Sequence, residues 1–253
     1  MNSEQNKLNT SLLGPKCPLC RGTVHFRSSV DRYAIRECAR CRLEFLWPQP
    51  DDASLAAIYS ENYFLDGSVQ HGVDRMSGMK SATAARYLDL AEEMLNGRGK
   101  RLLEIGCGHG DMLVEAYRRG FEVTGVEFGE HAAGIANKRL GFSAVSTGAI
   151  DTVALPDDYF DMVVFADVLE HVRDPRAFLR RVHEVLRAGG MVMLITPSLD
   201  SWSRRILGKK WMEYKIEHLF YFSARSIRLL LQDCAFAEIG VRSNRKVLTL
   251  DYT

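Results

Sequence analysis

Three groups of residues in this chain have the types and spacing to do chemistry. The first is a cysteine quartet, Cys17-x2-Cys20 and Cys38-x2-Cys41, the two pairs separated by 17 residues. A Cys-x2-Cys pair sits on a tight turn, and two such turns can close a tetrahedron of thiolates around zinc. Four thiolates fill the coordination shell, so the metal expected here is structural rather than catalytic. Redox chemistry and fortuitous pairing are the competing readings. The second group is the glycine loop of RLLEIGCGHG: Gly106, Gly108 and Gly110, preceded by Glu104. The third is Glu127, which ends the next strand 21 residues after Gly106.

The last two groups belong together. Glycines let the chain turn sharply and let a ligand approach the backbone, while an acid at the end of the following strand can accept hydrogen bonds from both ribose hydroxyls. A dinucleotide fingerprint needs its third glycine at position 111, where this chain has Asp111. An acid there opposes a pyrophosphate. S-adenosylmethionine (SAM), a nucleoside with a sulfonium cation and no phosphate, fits better. Glu104 can help hold its cationic end. A plain strand-to-helix turn is the bland alternative.

These residues need elements to position them. From Lys100 onward the chain alternates short β-branched runs (RLLEIG, EVTGVE, SAVST, DMVVFADV, GMVMLIT, EIGVRS) with helical segments. That alternation predicts an α/β fold with a doubly wound, mostly parallel sheet. Leu113, Ala116 and Tyr117 are expected on the buried face of one helix. Asp174 is expected to cap another that starts at Pro175 and stops at Gly189-Gly190. Ser223 is expected to cap a third. Thr23 to Ile35 reads as a β-hairpin. ASLAAIY and a stretch from about Met76 to Leu95 read as helices, with a polar, aromatic loop between them. The expected domains are a zinc ribbon over 1–47, a helical linker and lid over 48–98, and a ligand-binding domain over 99–253.

The region from about Gly99 to Val241 resembles the bacterial class I SAM-dependent methyltransferases. LLEIGCGHG and VTGVE are similar to their first and second motifs, and FDMVVFADVLEHVRDP and VLRAGGMVMLITP to later ones. The resemblance implies a Rossmann-like methyltransferase sheet with a small N-terminal zinc ribbon. It implies SAM held by Glu104, Gly106, Gly108, Gly110, Glu127, Phe128, Ala149, Ile150, Ala166 and Asp167. Where the family usually has a Gly-Asp pair for the adenine amino group, this chain has Gly148-Ala149, so Asp151 or the backbone of Ala149 and Ile150 must serve. VLTLDYT reads as the start of a seventh strand, or the chain is shortened.

Methyl transfer to a hydroxyl needs a proton acceptor, and imidazole is the usual one near neutral pH. His171 follows the fourth core strand, and strand C-termini are where open α/β sheets bind ligands. His218 precedes a later helix. Asp167, Glu170 and His171 form a candidate divalent-cation site, a segment similar to one in quinone-pathway O-methyltransferases. The expected function is methylation of a small-molecule acceptor, at oxygen. The alternatives are an RNA methyltransferase guided by the ribbon and a non-catalytic SAM-binding protein. Thirty-three basic and 32 acidic residues give a formal charge of +1, which disfavours nucleic acid as a partner. The ribbon's excess of four basic residues is halved by four thiolates on a divalent ion. No apolar run is long enough to span a membrane, so no membrane partner is expected, and a cytoplasmic location is. The sequence leaves the oligomeric state open.

Overall fold

Buried β-branched and aliphatic runs set the centre of the larger unit. The computed structural model describes residues 15–58, 73–97 and 99–243. β4 (Arg101–Ile105), β5 (Glu122–Glu127), β6 (Val145–Thr147), β7 (Phe160–Ala166) and β8 (Leu186–Ile195) form one parallel sheet in the order β6-β5-β4-β7-β8. Leu102, Leu103, Met162, Val163, Val164 and Phe165 are wholly buried, as strands covered on both faces require. The chain order reverses between β4 and β7, which is where such sheets open a crevice for ligands.

Helices α2 (Val73–Leu95), α3 (Asp111–Arg118), α4 (Glu130–Leu140) and α5 (Pro175–Val185) belong to this unit. Asp174 caps α5 as expected, accepting from the N–H groups of Arg176 and Ala177, both at 3.0 Å. That helix ends earlier than expected. Val185 is its last residue, and β8 begins at once with Leu186, so Gly189 (φ 74°) and Gly190 lie inside the strand span. Leu113 and Ala116 are buried, but Tyr117 faces solvent beside Phe142, ring centroids 5.0 Å apart. EIGVRS, expected as a strand, has no regular structure.

The smaller unit is built on the cysteine-bearing segment. β1 (Val24–Val30), β2 (Tyr33–Cys38) and β3 (Glu44–Trp47) make an antiparallel meander, and the expected hairpin is its first half. A fourth strand, β9 (Phe220–Tyr221), pairs with β3 through Glu44↔Tyr221 and Phe45↔Phe220. Tyr33, Ile35, Leu46, Trp211 and Tyr221 share one small core. Helices α1 (Asp52–Ile58), α6 (Trp202–Leu207) and α7 (Ala224–Asp233) fall in the same unit, and Ser223 caps α7 through the N–H of Ser226 at 3.2 Å.

Residues 197–233 therefore group with the ribbon, not with the rest of the stretch 99–253 as drawn from the sequence. The physical reason is the β3–β9 ladder and the core beneath it. The aromatic loop at 59–72 and VLTLDYT lie outside the described residues.

Candidate functional site

The glycine loop joins β4 to α3, and its three glycines do different jobs. All have positive φ: 72° at Gly106, 52° at Gly108 and 76° at Gly110. A Cβ at Gly106 would sit 2.5 Å from Val168 Cγ2, and one at Gly110 would sit 2.9 Å from Ala136 Cβ. Those two allow close packing. A Cβ at Gly108 would meet nothing within 4 Å, so this is the open side of the loop, available to a ligand.

Glu127 ties the loop to the next strand. Its Oε2 accepts from the Gly108 N–H at 2.8 Å, and its Oε1 accepts from the Gly129 N–H at 2.9 Å. Each carboxylate oxygen has a second lone pair to offer. Two backbone bonds thus fix the carboxylate and still leave it able to accept from a pair of hydroxyls. Phe128, the next residue, is 79% exposed, a bare aromatic face at the end of β5.

Glu104 is buried, and its Oε2 has no hydrogen-bond partner among the described residues. Burial pushes its carboxyl well above the usual range, and the negative charges of Asp111 and Glu127 push it further. An orphaned buried carboxyl oxygen is a costly feature unless something bound satisfies it. Asp111 opens α3, held by Arg139 Nη2 at 2.8 Å, while Arg139 Nη1 donates to the His109 carbonyl at 2.7 Å. Glu104, Glu127 and Asp111 therefore gather three acids about the loop, and the one arginine hydrogen-bonded to it among the described residues, Arg139, is committed to Asp111 and the His109 carbonyl. This donor set suits a cationic nucleoside, as SAM is.

The third-strand turn departs from expectation in detail. The Ala149 N–H donates to Thr152 Oγ1 at 3.1 Å, and the Ala149 carbonyl accepts from Thr152 and Val153. Its backbone is thus committed within the turn. Ile150 is buried and Asp151 is exposed.

β7 ends at Ala166, and Asp167 follows with φ 54°. A non-glycine residue there is strained, a feature concentrated at functional sites. Its N–H is held by the Ile195 carbonyl at 2.9 Å. Glu170 is buried and accepts from Thr196 Oγ1 at 3.0 Å. His171 closes a single 3-10 turn, Leu169–His171, and is half-buried. The suggested cation site does not form as drawn: Asp167, Glu170 and His171 do not bring three ligand atoms within 4.8 Å of one another. Glu170 and His171 do bring ligand atoms within 4.8 Å of each other; Asp167, in its left-handed turn, is the residue that does not join them.

His218 belongs to the smaller unit and is buried there. Its Nδ1 lies 2.9 Å from the Glu213 carbonyl, which can only accept. Nδ1 therefore carries the proton, and in the neutral ring Nε2 is the basic nitrogen.

The cysteine quartet converges. Its four sulfur atoms all lie within 4.8 Å of one another. The two turns match: Arg21 N–H donates to the Cys17 carbonyl at 2.9 Å, Arg42 N–H to the Cys38 carbonyl at 3.0 Å, and both arginines have positive φ.

Sequence reading missed the polar cluster beside this quartet. Buried Glu44 accepts from Tyr214 Oη and lies 3.4 Å from Arg204 Nη2 and 3.5 Å from Arg27 Nε. Some 160 residues separate Glu44 from Arg204, so no local pattern could have announced the pairing.

A family profile described as "Methyltransferase domain" matches residues 77–237. A ubiquinone biosynthesis O-methyltransferase from Aeromonas salmonicida is 36% identical over 104 residues, which cover 39% of this chain and 43% of that protein. A protein of the same name from Pseudomonas syringae pv. tomato is 34% identical over 110 residues, 42% of this chain and 47% of the relative. The chain spans less than half the length of these curated relatives. A SAM dependent methyltransferase from Archaeoglobus fulgidus has the same fold, with TM-score 0.53 over 74% of this chain and 76% of that one, at 21% identity.

Proposed function

The chain belongs to the methyltransferase domain family, and from that premise we propose that it transfers the methyl group of SAM to a hydroxyl of a small molecule. The observation that carries the reading is the acidic glycine loop: buried Glu104 with its orphaned Oε2, Glu127 held by two backbone N–H groups, and the open face at Gly108. The names of the O-methyltransferase relatives support oxygen as the methylated atom.

Bound SAM supplies a methyl group already activated on a sulfonium. The chain's own residues then have three tasks. Glu127 takes the two ribose hydroxyls and fixes the nucleoside. Phe128 offers its exposed ring to the adenine, and Ile150 gives it an apolar neighbour. Glu104 and the strained turn at Ala166 and Asp167 hold the cationic amino-acid end. Alignment of this kind supplies a large share of the rate in a displacement reaction. Removal of the acceptor's proton falls to an imidazole, with His171 and His218 as the two candidates.

The four cysteines hold a structural zinc ion. Support comes from their convergence and from the twin turns that present them. The ribbon's work is architectural: it builds the edge strand on which residues 219–221 are laid.

The test is incubation with methyl-labelled SAM and fractionated host extract, followed by mass identification of the labelled product. Label in a small molecule at oxygen is the expected result. Label in RNA would replace the acceptor assignment. Calorimetry that finds NADH binding but no SAM binding would overturn the reading.

A further inference from the structure

The segment that leaves the small core displays apolar side chains that are largely exposed, with the Arg205 guanidinium carbon 5.8 Å from the Trp202 ring centroid. Trp202 and Ile206 are each 77% exposed and Met212 is 72% exposed, all within eleven residues. Trp202 and Ile206 are four apart on α6, so they share one face of that helix. The segment is not loosely held. Ser201 caps α6 by accepting from the Arg204 N–H at 3.1 Å. Arg204 turns inward to Glu44 and lies over the Tyr214 ring, its carbon 5.2 Å from the centroid. Trp211 is buried, and its indole N–H donates to Ser203 Oγ at 3.1 Å. With Arg204 and Trp211 as anchors, the exposed side chains are presented rather than merely left out.

The charge of the same stretch is one-sided. Residues 201–212 contain Arg204, Arg205, Lys209 and Lys210 and no acid. Arg205, Lys209 and Lys210 are exposed. The whole chain carries only +1, so this is a local concentration. An exposed indole with aliphatic neighbours, rimmed by lysine and arginine, is the composition of a peripheral membrane contact. Single-stranded nucleic acid would also accept a tryptophan and basic groups, but it has no use for Ile206 and Met212, which are not stacking platforms. Acyl chains do.

We propose that α6 and the Gly208–Met212 turn dock on an anionic lipid bilayer, with Trp202, Ile206 and Met212 entering the headgroup–acyl boundary and Arg205, Lys209 and Lys210 pairing with lipid phosphates. The absence of a membrane-spanning helix among the described residues bears on crossing a bilayer, not on lying against one. The contact revises the expectation of no membrane partner, which rested on the lack of a spanning run. It does not depend on the methyl-transfer reading.

The test is co-sedimentation of the full chain with vesicles of phosphatidylcholine, with and without phosphatidylglycerol. Association with the anionic vesicles only, weakening as salt rises, is expected. Lys209→Ala with Lys210→Ala should lower partitioning roughly 25-fold, about fivefold for each charge. Tryptophan emission should shift to the blue on association, and Trp202→Phe should abolish most of that shift. No association with anionic vesicles at low salt would overturn the proposal. So would association unchanged in the double variant. Binding to RNA or to an acidic protein surface without vesicle association would overturn it too.

Discussion

Glu104 and Glu127 sit on adjacent strands, 23 residues apart, yet their surroundings set them different tasks. Glu127 is fixed by two backbone donors and remains a hydrogen-bond acceptor. Glu127→Ala is expected to weaken SAM binding by about 1.5–3 kcal/mol, since charged hydrogen bonds to two hydroxyls are lost; isothermal calorimetry measures this. Glu104 is buried with one oxygen unsatisfied, and burial raises its pKa. A carboxyl whose folded pKa is raised destabilises the fold as pH climbs above its unfolded value. Glu104→Gln should therefore stabilise the ligand-free protein at neutral pH, raising Tm by about 2–4 °C, while SAM affinity falls. Thermal melts with and without SAM separate the two effects. A lower Tm in the ligand-free variant would count against this view of Glu104. For the histidines, loss of the true base should cut kcat by about 10²–10⁴-fold with SAM affinity nearly unchanged. His171→Ala, His218→Ala and the double variant test this, and near-native kcat in all three would leave alignment as the main source of rate.

Two arrangements between elements carry their own predictions. At the N-terminal end of the parallel sheet, Asp161 joins three strands: it accepts from the Arg101 N–H at 2.8 Å and Arg101 Nε at 3.2 Å, and it pairs with Arg187 Nε. Burial works against its charge, but the two arginines prevail and hold its pKa down to about 2. A depressed folded pKa adds stability above the unfolded value that is lost as pH falls through the folded one. The contribution is about 2 kcal/mol, disappearing between roughly pH 4 and pH 2. Asp161→Asn should flatten that part of the acid-unfolding curve, and an unchanged acid limb would refute the linkage. The second arrangement is the β3–β9 ladder. With zinc on the quartet as proposed, Cys38→Ser should release it and loosen residues 17–47 and 211–221 together. Hydrogen exchange is the measurement. Faster exchange confined to the ribbon would mean that β9 holds its place without β3.

Over the whole molecule, the chain passes between its two units three times, at 58/59, 196/197 and 233/234. The ribbon is thus no detachable appendage. Deleting residues 1–47 would strip the partners from Trp211, Phe220 and Tyr221, all buried in the intact chain. The expected outcome is a truncated protein that binds hydrophobic dye and aggregates. A monodisperse, dye-negative product would argue that the segment refolds against something else.

The sequence by itself determined the features that are local. Glycines at alternate positions, an acid at a strand end, an Asp-Pro helix start and paired Cys-x2-Cys turns are specified within a few residues, and the alternation of apolar runs with helical segments sufficed for the parallel sheet. Tyr117 was misplaced because helical spacing leaves a residue at the border of a buried face free to turn either way. The end of α5 was misjudged because the β7 ladder drew Leu186 into β8 before the glycines were reached. Only the tertiary structure could join Glu44 to Tyr214 and Arg204, pair β9 with β3, and separate Asp167 from the suggested cation site. Those outcomes depend on which distant segments meet, and burial of a shared apolar face, not spacing along the chain, makes that choice.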